Sequence, residues 1–198
     1  MQKAFPSNLY VVFSNIGHYD TPTQLGIKWQ MDVKYVPIVC YVGTDGQKFY
    51  QYTMIEEATR ERFIYPYMEQ SSYSTIDFVQ RAIAYFGYAP DTIQTDNGSE
   101  FTHTAKTKRI HPFDIFCQKY NIYHKLIIPR TPWHNGKVER SHRSDQERFY
   151  NYLSFYSYED LKLQMKRYLN RSNNIPMSVL GWKSPLRKRY ELENIPTS

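Results

Sequence analysis

Ile27-Lys-Trp-Gln-Met-Asp-Val-Lys-Tyr35 decides the fold class of this chain. Trp29, Met31, Val33 and Tyr35 alternate with Lys28, Gln30, Asp32 and Lys34. That two-residue period is the mark of a β-strand with one apolar face. Asp32 falls on the face opposite the apolar set. A carboxylate in mid-strand is costly unless its face is wet or the group is paired or ligated. A solvated sheet face and a ligand-bearing one both satisfy that condition.

Outward from this strand, Val36 to Val42 continues as an apolar strand containing Cys40, and Gly43-Thr-Asp-Gly46 has turn composition. Lys48 to Ile55 and Arg62 to Tyr67 follow as β-rich runs. Ser74 opens a helix in a capping-box pattern with Asp77, with Ile76, Val79, Ile83 and Phe86 as its apolar stripe and Gly87 as its left-handed cap. Pro90 to Thr95 is a short strand with Asp96 at its tip. Phe113 to Tyr120 is a helix, Ile122 to Ile128 a strand, Lys137 to about Ser154 a long helix and Tyr158 to Arg171 another. This order predicts an α/β domain with a mixed five-stranded sheet and helices on both faces. Residues 1–26, punctuated by Pro6, Gly17, Pro22 and Gly26, read as an N-terminal extension without a clear pattern. Residues 27–156 form the core, and 157–198 a C-terminal helix and tail.

Three acidic positions carry the chemistry: Asp32, Asp96 in Thr95-Asp-Asn-Gly-Ser-Glu-Phe101, and Glu139 in Trp133-His-Asn-Gly-Lys-Val-Glu-Arg-Ser-His142. Carboxylates from distant stretches suit hard divalent cations, which take oxygen ligands. Each also has a local explanation. Asp96 before Asn-Gly suits an Asx turn, and Glu139 in the first turn of a helix suits the macrodipole. Lys137, Arg140 and Arg143 crowd the same turns, where cations oppose the dipole, so the helix start is better suited to meeting an outside phosphate. Arg143 could instead pair with Glu139 four residues earlier.

Bulk properties agree with a nucleic-acid partner without demanding one. The 198 residues carry net charge +6 and include 19 Tyr and 3 Trp, a combination that suits an anionic surface but also serves solubility. Cys40 and Cys117 stand far apart without the spacing of a zinc site. The sequence shows no secretory signal pattern and no apolar run long enough to span a bilayer, so a soluble, cytoplasmic protein without a membrane partner is expected.

These motifs resemble the DDE transposase and retroviral-type integrase catalytic core, most of all bacterial insertion-sequence transposases of the IS481 and IS3 type. The resemblance covers about residues 27–187, including the tail Ser172-Asn-Asn-Ile-Pro-Met-Ser-Val-Leu-Gly-Trp-Lys-Ser-Pro185. It departs in spacing. Forty-two residues separate Asp96 and Glu139, against the family's D,D-35-E pattern, and the excess is placed in the basic stretch 102–112. Ile175-Pro-Met177 stands where many relatives have Arg-Pro-His, and no helix-turn-helix domain precedes the core in this sequence.

The resemblance implies an RNase H-like fold and two Mg²⁺ or Mn²⁺ ions held by Asp32, Asp96 and Glu139. It further implies DNA strand cleavage followed by strand transfer between transposon ends and target, in a homodimer or higher assembly associated with a bacterial nucleoid. Arg130, Lys137, Arg140 and Arg143 are expected to grip phosphates, with Asn97 and His142 as hydrogen-bonding partners. Trp133 and His134 are placed to stack on a base, and Asn135 is grouped with them as a DNA contact. Two other readings stay open: a nuclease on the same fold that lacks strand transfer, and a DNA-binding fragment without activity.

Overall fold

The structure is a computed structural model and describes residues 21–103, 107–128 and 136–194. Five strands form one mixed sheet: β1 Lys28–Tyr35, β2 Tyr50–Glu56, β3 Arg62–Tyr67, β4 Thr92–Thr95 and β5 Tyr123–Leu126. Their order is β3-β2-β1-β4-β5. The hairpin partners β1–β2 and β2–β3 are antiparallel. The pairs β1–β4 and β4–β5 are parallel, as connections through a helix require. The mixed sheet with helices on both faces is thus as the periodicity predicts.

The alternation in β1 sorts residues between two layers. Trp29 and Met31 join Tyr52, Met54 and Ile93 beneath α1 (Ser72–Phe86) and α2 (Pro112–Lys119). Phe78, Val79, Ala82 and Phe86 of α1 and Phe113, Phe116 and Cys117 of α2 complete that core. Burying each such large side chain stabilises the fold by roughly 1.5–3 kcal/mol. The opposite face carries Gln30, Asp32 and Lys34 beside Thr53 and Gln51, because Asp32 pairs with Thr53 in the β1–β2 register. It is covered by α3 (Gly136–Arg148) and α4 (Tyr158–Asn173). Leu161, Met165, Tyr168 and Leu169 of α4 share one buried cluster with Val36, Cys40, Phe49 and Ile64, so the C-terminal helix packs directly on the core.

Several boundaries differ from the sequence expectation. Residues Ile38–Cys40 form a 3₁₀ turn instead of a continued strand. Pro37 starts this turn, and Val39 points to solvent while Cys40 is buried. The cap of α1 is Ser71, whose side chain accepts from the Ser74 N–H at 3.1 Å. The capping oxygen thus lies three residues before the expected one, an interaction worth about 1 kcal/mol. Asp77 instead accepts from Tyr67 and Arg81. α3 ends at Arg148, and residues Tyr150–Tyr152 form a 3₁₀ turn in place of the helix expected up to Ser154. Tyr150 and Leu153 are drawn into the second cluster there. α5 (Pro185–Glu193) has no counterpart in the sequence expectation. Its Ser184 cap and Pro185 at the first helical position are nonetheless a sequence signal for a helix start.

Candidate active site

Asp32 and Asp96 are neighbours because β1 and β4 run parallel side by side. The register pairs Gln30 with Gln94, and two further residues along each chain bring Asp32 level with Asp96 at the end of β4. Asp96 also makes the local turn its sequence favours, since its Oδ1 accepts from the Gly98 N–H at 3.0 Å. Glu139 arrives from the first turn of α3, which packs across β1 and β2. The preceding residue is pinned to the sheet: the Val138 N–H donates to Gln30 Oε1 at 3.2 Å. Glu139 itself is exposed.

Burial drives the Asp32 carboxyl up to about 7, and the negative charges of Asp96, Glu139 and Glu100 push in the same direction. The Val33 N–H, donating to Asp32 Oδ1 at 2.9 Å, opposes this. His142 stands behind the carboxylate, with Nδ1 3.5 Å from Asp32 Oδ2 and Nε2 3.2 Å from Thr53 Oγ1. Burial lowers His142 to about 4, so the ring is neutral near pH 7 and its contact with Asp32 is not an ion pair.

The fourth acidic group, Glu100, belongs to the Asp96 motif, and sequence reasoning assigned it no role. It is buried, and its Oε1 accepts from Gln70 at 2.6 Å. Its carboxylate also lies against the bare backbone of Gly98, where an added Cβ would come 2.6 Å from Oε2.

A divalent ion is tested by this donor set. Asp32, Asp96 and Glu139 offer only oxygen ligands, come from three separate elements, and put negative charge around Asp32 that adds to the effect of burial on its carboxyl. That chemistry fits Mg²⁺ or Mn²⁺. Among the described residues, no three His, Cys, Asp or Glu side chains already stand close enough to hold an ion.

The expected DNA contacts divide into groups. Arg140 and Arg143 are exposed on α3, and among the described residues no ion pair joins Arg143 to Glu139. Asn97 is exposed, but its Nδ2 donates to the Ile127 carbonyl at 2.9 Å. Lys137 is turned inward, with Nζ 2.6 Å from Glu57 Oε2 and 3.2 Å from Thr21 Oγ1. His142 faces Asp32 and Thr53. Arg130, Trp133, His134 and Asn135 lie outside the described residues. Sequence reasoning passed over Glu57, whose only signal is a Glu-Glu pair closing the apolar run of β2.

Comparison with known proteins decides the family. Residues 22–132 match the family described as integrase core domain, and residues 120–185 match a second family of the same description. The chain belongs to the integrase core domain family.

Its relatives include the ORF3 protein of Spiroplasma virus SpV1-C74, named as a putative integrase, at 34% identity over 155 residues. That alignment covers 73% of this integrase core and 40% of the viral protein. The Gag-Pro-Pol polyprotein of squirrel monkey retrovirus is 34% identical over 118 residues, which cover 59% of this chain and 5% of the polyprotein. The chain thus spans well under two thirds of the length of these relatives. Among solved structures, the catalytic core domain of BIV integrase superposes with a TM-score of 0.62 at 20% identity, covering 85% of this chain and 96% of that one. The HTLV-2 integrase catalytic core domain, solved with magnesium in a dimeric form, gives 0.56 at 20% identity, with coverages of 83% and 96%. These likenesses establish the RNase H-like fold of integrase cores. These relatives are viral, and a further one is from tobacco, so they do not place the chain in a bacterial nucleoid. Among the described residues no helix is long and apolar enough to cross a membrane.

Proposed function

We propose that this integrase core is a divalent-metal-dependent polynucleotidyl transferase that cleaves DNA strands and joins a DNA 3′ end to a target, with Asp32, Asp96 and Glu139 as its metal-holding carboxylates. One observation carries the reading. Asp32, in the middle of a buried strand, has its carboxyl raised by burial and by the charges of Asp96 and Glu139, which reach it from a neighbouring strand tip and from a helix start. Carboxylates from three separate elements whose charges act against one another at Asp32 would be compensated by a cation that they share.

Asp32 and Asp96 would hold one ion and Asp32 and Glu139 the other. When bound, such ions lower the barrier to attack on a phosphodiester by activating a water or a 3′-hydroxyl and by stabilising the leaving oxygen. The chain's own residues do the positioning. Val33 N–H orients the Asp32 carboxylate, Gly98 N–H orients that of Asp96, and Val138 N–H on Gln30 sets the helix turn that presents Glu139. Arg140 and Arg143, exposed about one turn or less beyond Glu139, are placed to meet the phosphates of the strand being cut. An assembly of at least two copies, with transposon-type ends and target DNA as partners, belongs to the same proposal. The dimeric form of the HTLV-2 core supports it by fold only.

The test is a strand-transfer assay with labelled oligonucleotide ends in Mn²⁺ or Mg²⁺. Longer joined products that vanish in Asp32→Asn and Glu139→Gln support the proposal. Shortened products without joining identify a nuclease. Full activity in either variant overturns the assignment of the carboxylates.

A further inference from the structure

Glu57 is a fully buried carboxylate immediately after β2, outside the acidic cluster described above. Lys137, Lys28 and Gln30 converge on it. Lys137 Nζ approaches Oε2 at 2.6 Å, Lys28 Nζ approaches Oε1 at 3.2 Å, and Gln30 Nε2 donates to Oε1 at 2.7 Å. Gln30 uses its other end to accept the Val138 N–H at 3.2 Å. Glu57 therefore acts on the first turn of α3 in two ways, directly through Lys137 and indirectly by fixing the Gln30 amide that receives Val138. Glu139 is the next residue.

A buried charge pair is weak evidence of stability, because desolvation offsets its attraction. What it does supply is a defined geometry. Burying a carboxylate against a half-buried lysine here pins the helix turn that carries Glu139. Helix starts also lack internal partners for their first N–H groups, so this turn is held by what lies outside the helix.

We propose that Glu57 is a positioning residue for Glu139: the Glu57–Lys137 pair and the Glu57–Gln30–Val138 chain hold the start of α3 where its acidic side chain can join Asp32 and Asp96. This rests on the proposed reaction for its activity readout, but not for its structural one. Lys137 accordingly serves the inside of the protein, not the DNA.

The experiment compares the 198-residue chain with Glu57→Gln, Lys137→Met, the double variant and Lys137→Arg. Two measurements are made. One is the single-turnover joining rate and DNA affinity at saturating Mn²⁺. The other is hydrogen exchange at the amides of Val138, Glu139 and Arg140. Glu57→Gln and Lys137→Met are each expected to slow joining at saturating DNA by about 10–100-fold, as loss of an orienting partner does, with DNA affinity unchanged. The double variant is expected to be no worse than either single one, and Lys137→Arg to retain most of the rate. Exchange at the start of α3 should rise while the β1 and α1 amides stay protected. Unchanged exchange at these amides overturns the proposal. So does a Lys137→Met variant that loses DNA affinity but keeps its rate at saturation. Should Glu57→Gln fail to fold, Lys137→Met carries the same test, because Glu57 then keeps Lys28 and Gln30. If the wild-type chain neither cuts nor joins DNA, the functional reading falls, and exchange alone decides whether Glu57 holds the helix.

Discussion

Arg62 Nη1 lies 2.7 Å from Asp145 Oδ1, a buried ion pair that ties the C-terminal half of α3 to β3. Asp145 also accepts from Gln51 Nε2 at 2.7 Å and from the Tyr168 hydroxyl at 2.9 Å. Both oxygens are thus satisfied without water. Together with Glu57–Lys137 at the other end, this pair fixes α3 to the sheet at two points, with Glu139 between them.

Replacing one member of such a pair leaves the other buried and uncompensated. Asp145→Asn is expected to cost about 3–5 kcal/mol, read as a lower urea midpoint with an unchanged slope. A loss below about 1 kcal/mol would show that water reaches Arg62 in the folded state.

The same pair predicts how stability responds to acid. Arg62 and the donated hydrogen bonds hold the Asp145 carboxyl below the ordinary aspartate value, against burial, which acts in the other direction. A carboxyl lowered on folding contributes stability that is present above its unfolded value and is lost as pH falls through the folded one. Stability should therefore fall steeply below about pH 4, near the unfolded aspartate value. Asp145→Asn should flatten that part of the curve. Chemical denaturation from about pH 6 down to the acid limb gives both slopes.

Arg140 and Arg143 are exposed, whereas Lys137 is paired internally. Substituting either arginine by alanine should weaken DNA binding regardless of sequence. It should also reduce the slope of log affinity against log salt by about 0.9 for each duplex phosphate that is no longer neutralised. Lys137→Met should leave that slope unchanged. Titrations at several salt concentrations separate the two behaviours, and an unchanged slope for both arginines would remove them from the interface.

Gly87 ends α1 in the left-handed region with φ 82°. Its N–H bonds the Ile83 carbonyl at 2.8 Å. Gly87→Ala places a Cβ in a conformation that costs roughly 1–2 kcal/mol, so a drop of about that size is expected on thermal unfolding, with joining activity intact.

Gly98 has a different requirement, for space. A Cβ there would come within 2.7 Å of three Glu100 carboxylate-group atoms, so Gly98→Ala must shift either the Glu100 carboxylate, which Gln70 holds, or the backbone of the Asp96 turn. A drop in Mn²⁺ affinity by calorimetry is expected, and Gly98→Ala/Glu100→Ala, which removes the obstruction, should recover part of it. No recovery would place the effect in the backbone and not in Glu100.

The local periods of the chain determined its strands and helices. The alternation in 27–35, the Gly87 stop and the apolar stripe through Val79 and Phe86 each depend on interactions within a few residues, and they are reproduced in β1 and α1. Asp32, Asp96 and Glu139 stand out in the sequence only as a set, since a wet sheet face, an Asx turn and a helix start would each explain one of them alone. The cap at Ser71 is ambiguous in sequence because Ser71, Ser72 and Ser74 offer nearly equivalent hydroxyls, and only packing of Phe78 and Phe86 against the sheet selects the register. The turn at Ile38–Cys40 was hidden because its apolar residues serve a strand or a turn equally well. The partners of Lys137, Gln30 and Asp145 were beyond any local reading. Glu57 lies 80 residues from Lys137, and Arg62 lies 83 from Asp145. Strand order and helix docking alone bring them together, and burial gives those charges a fixed partner in place of water.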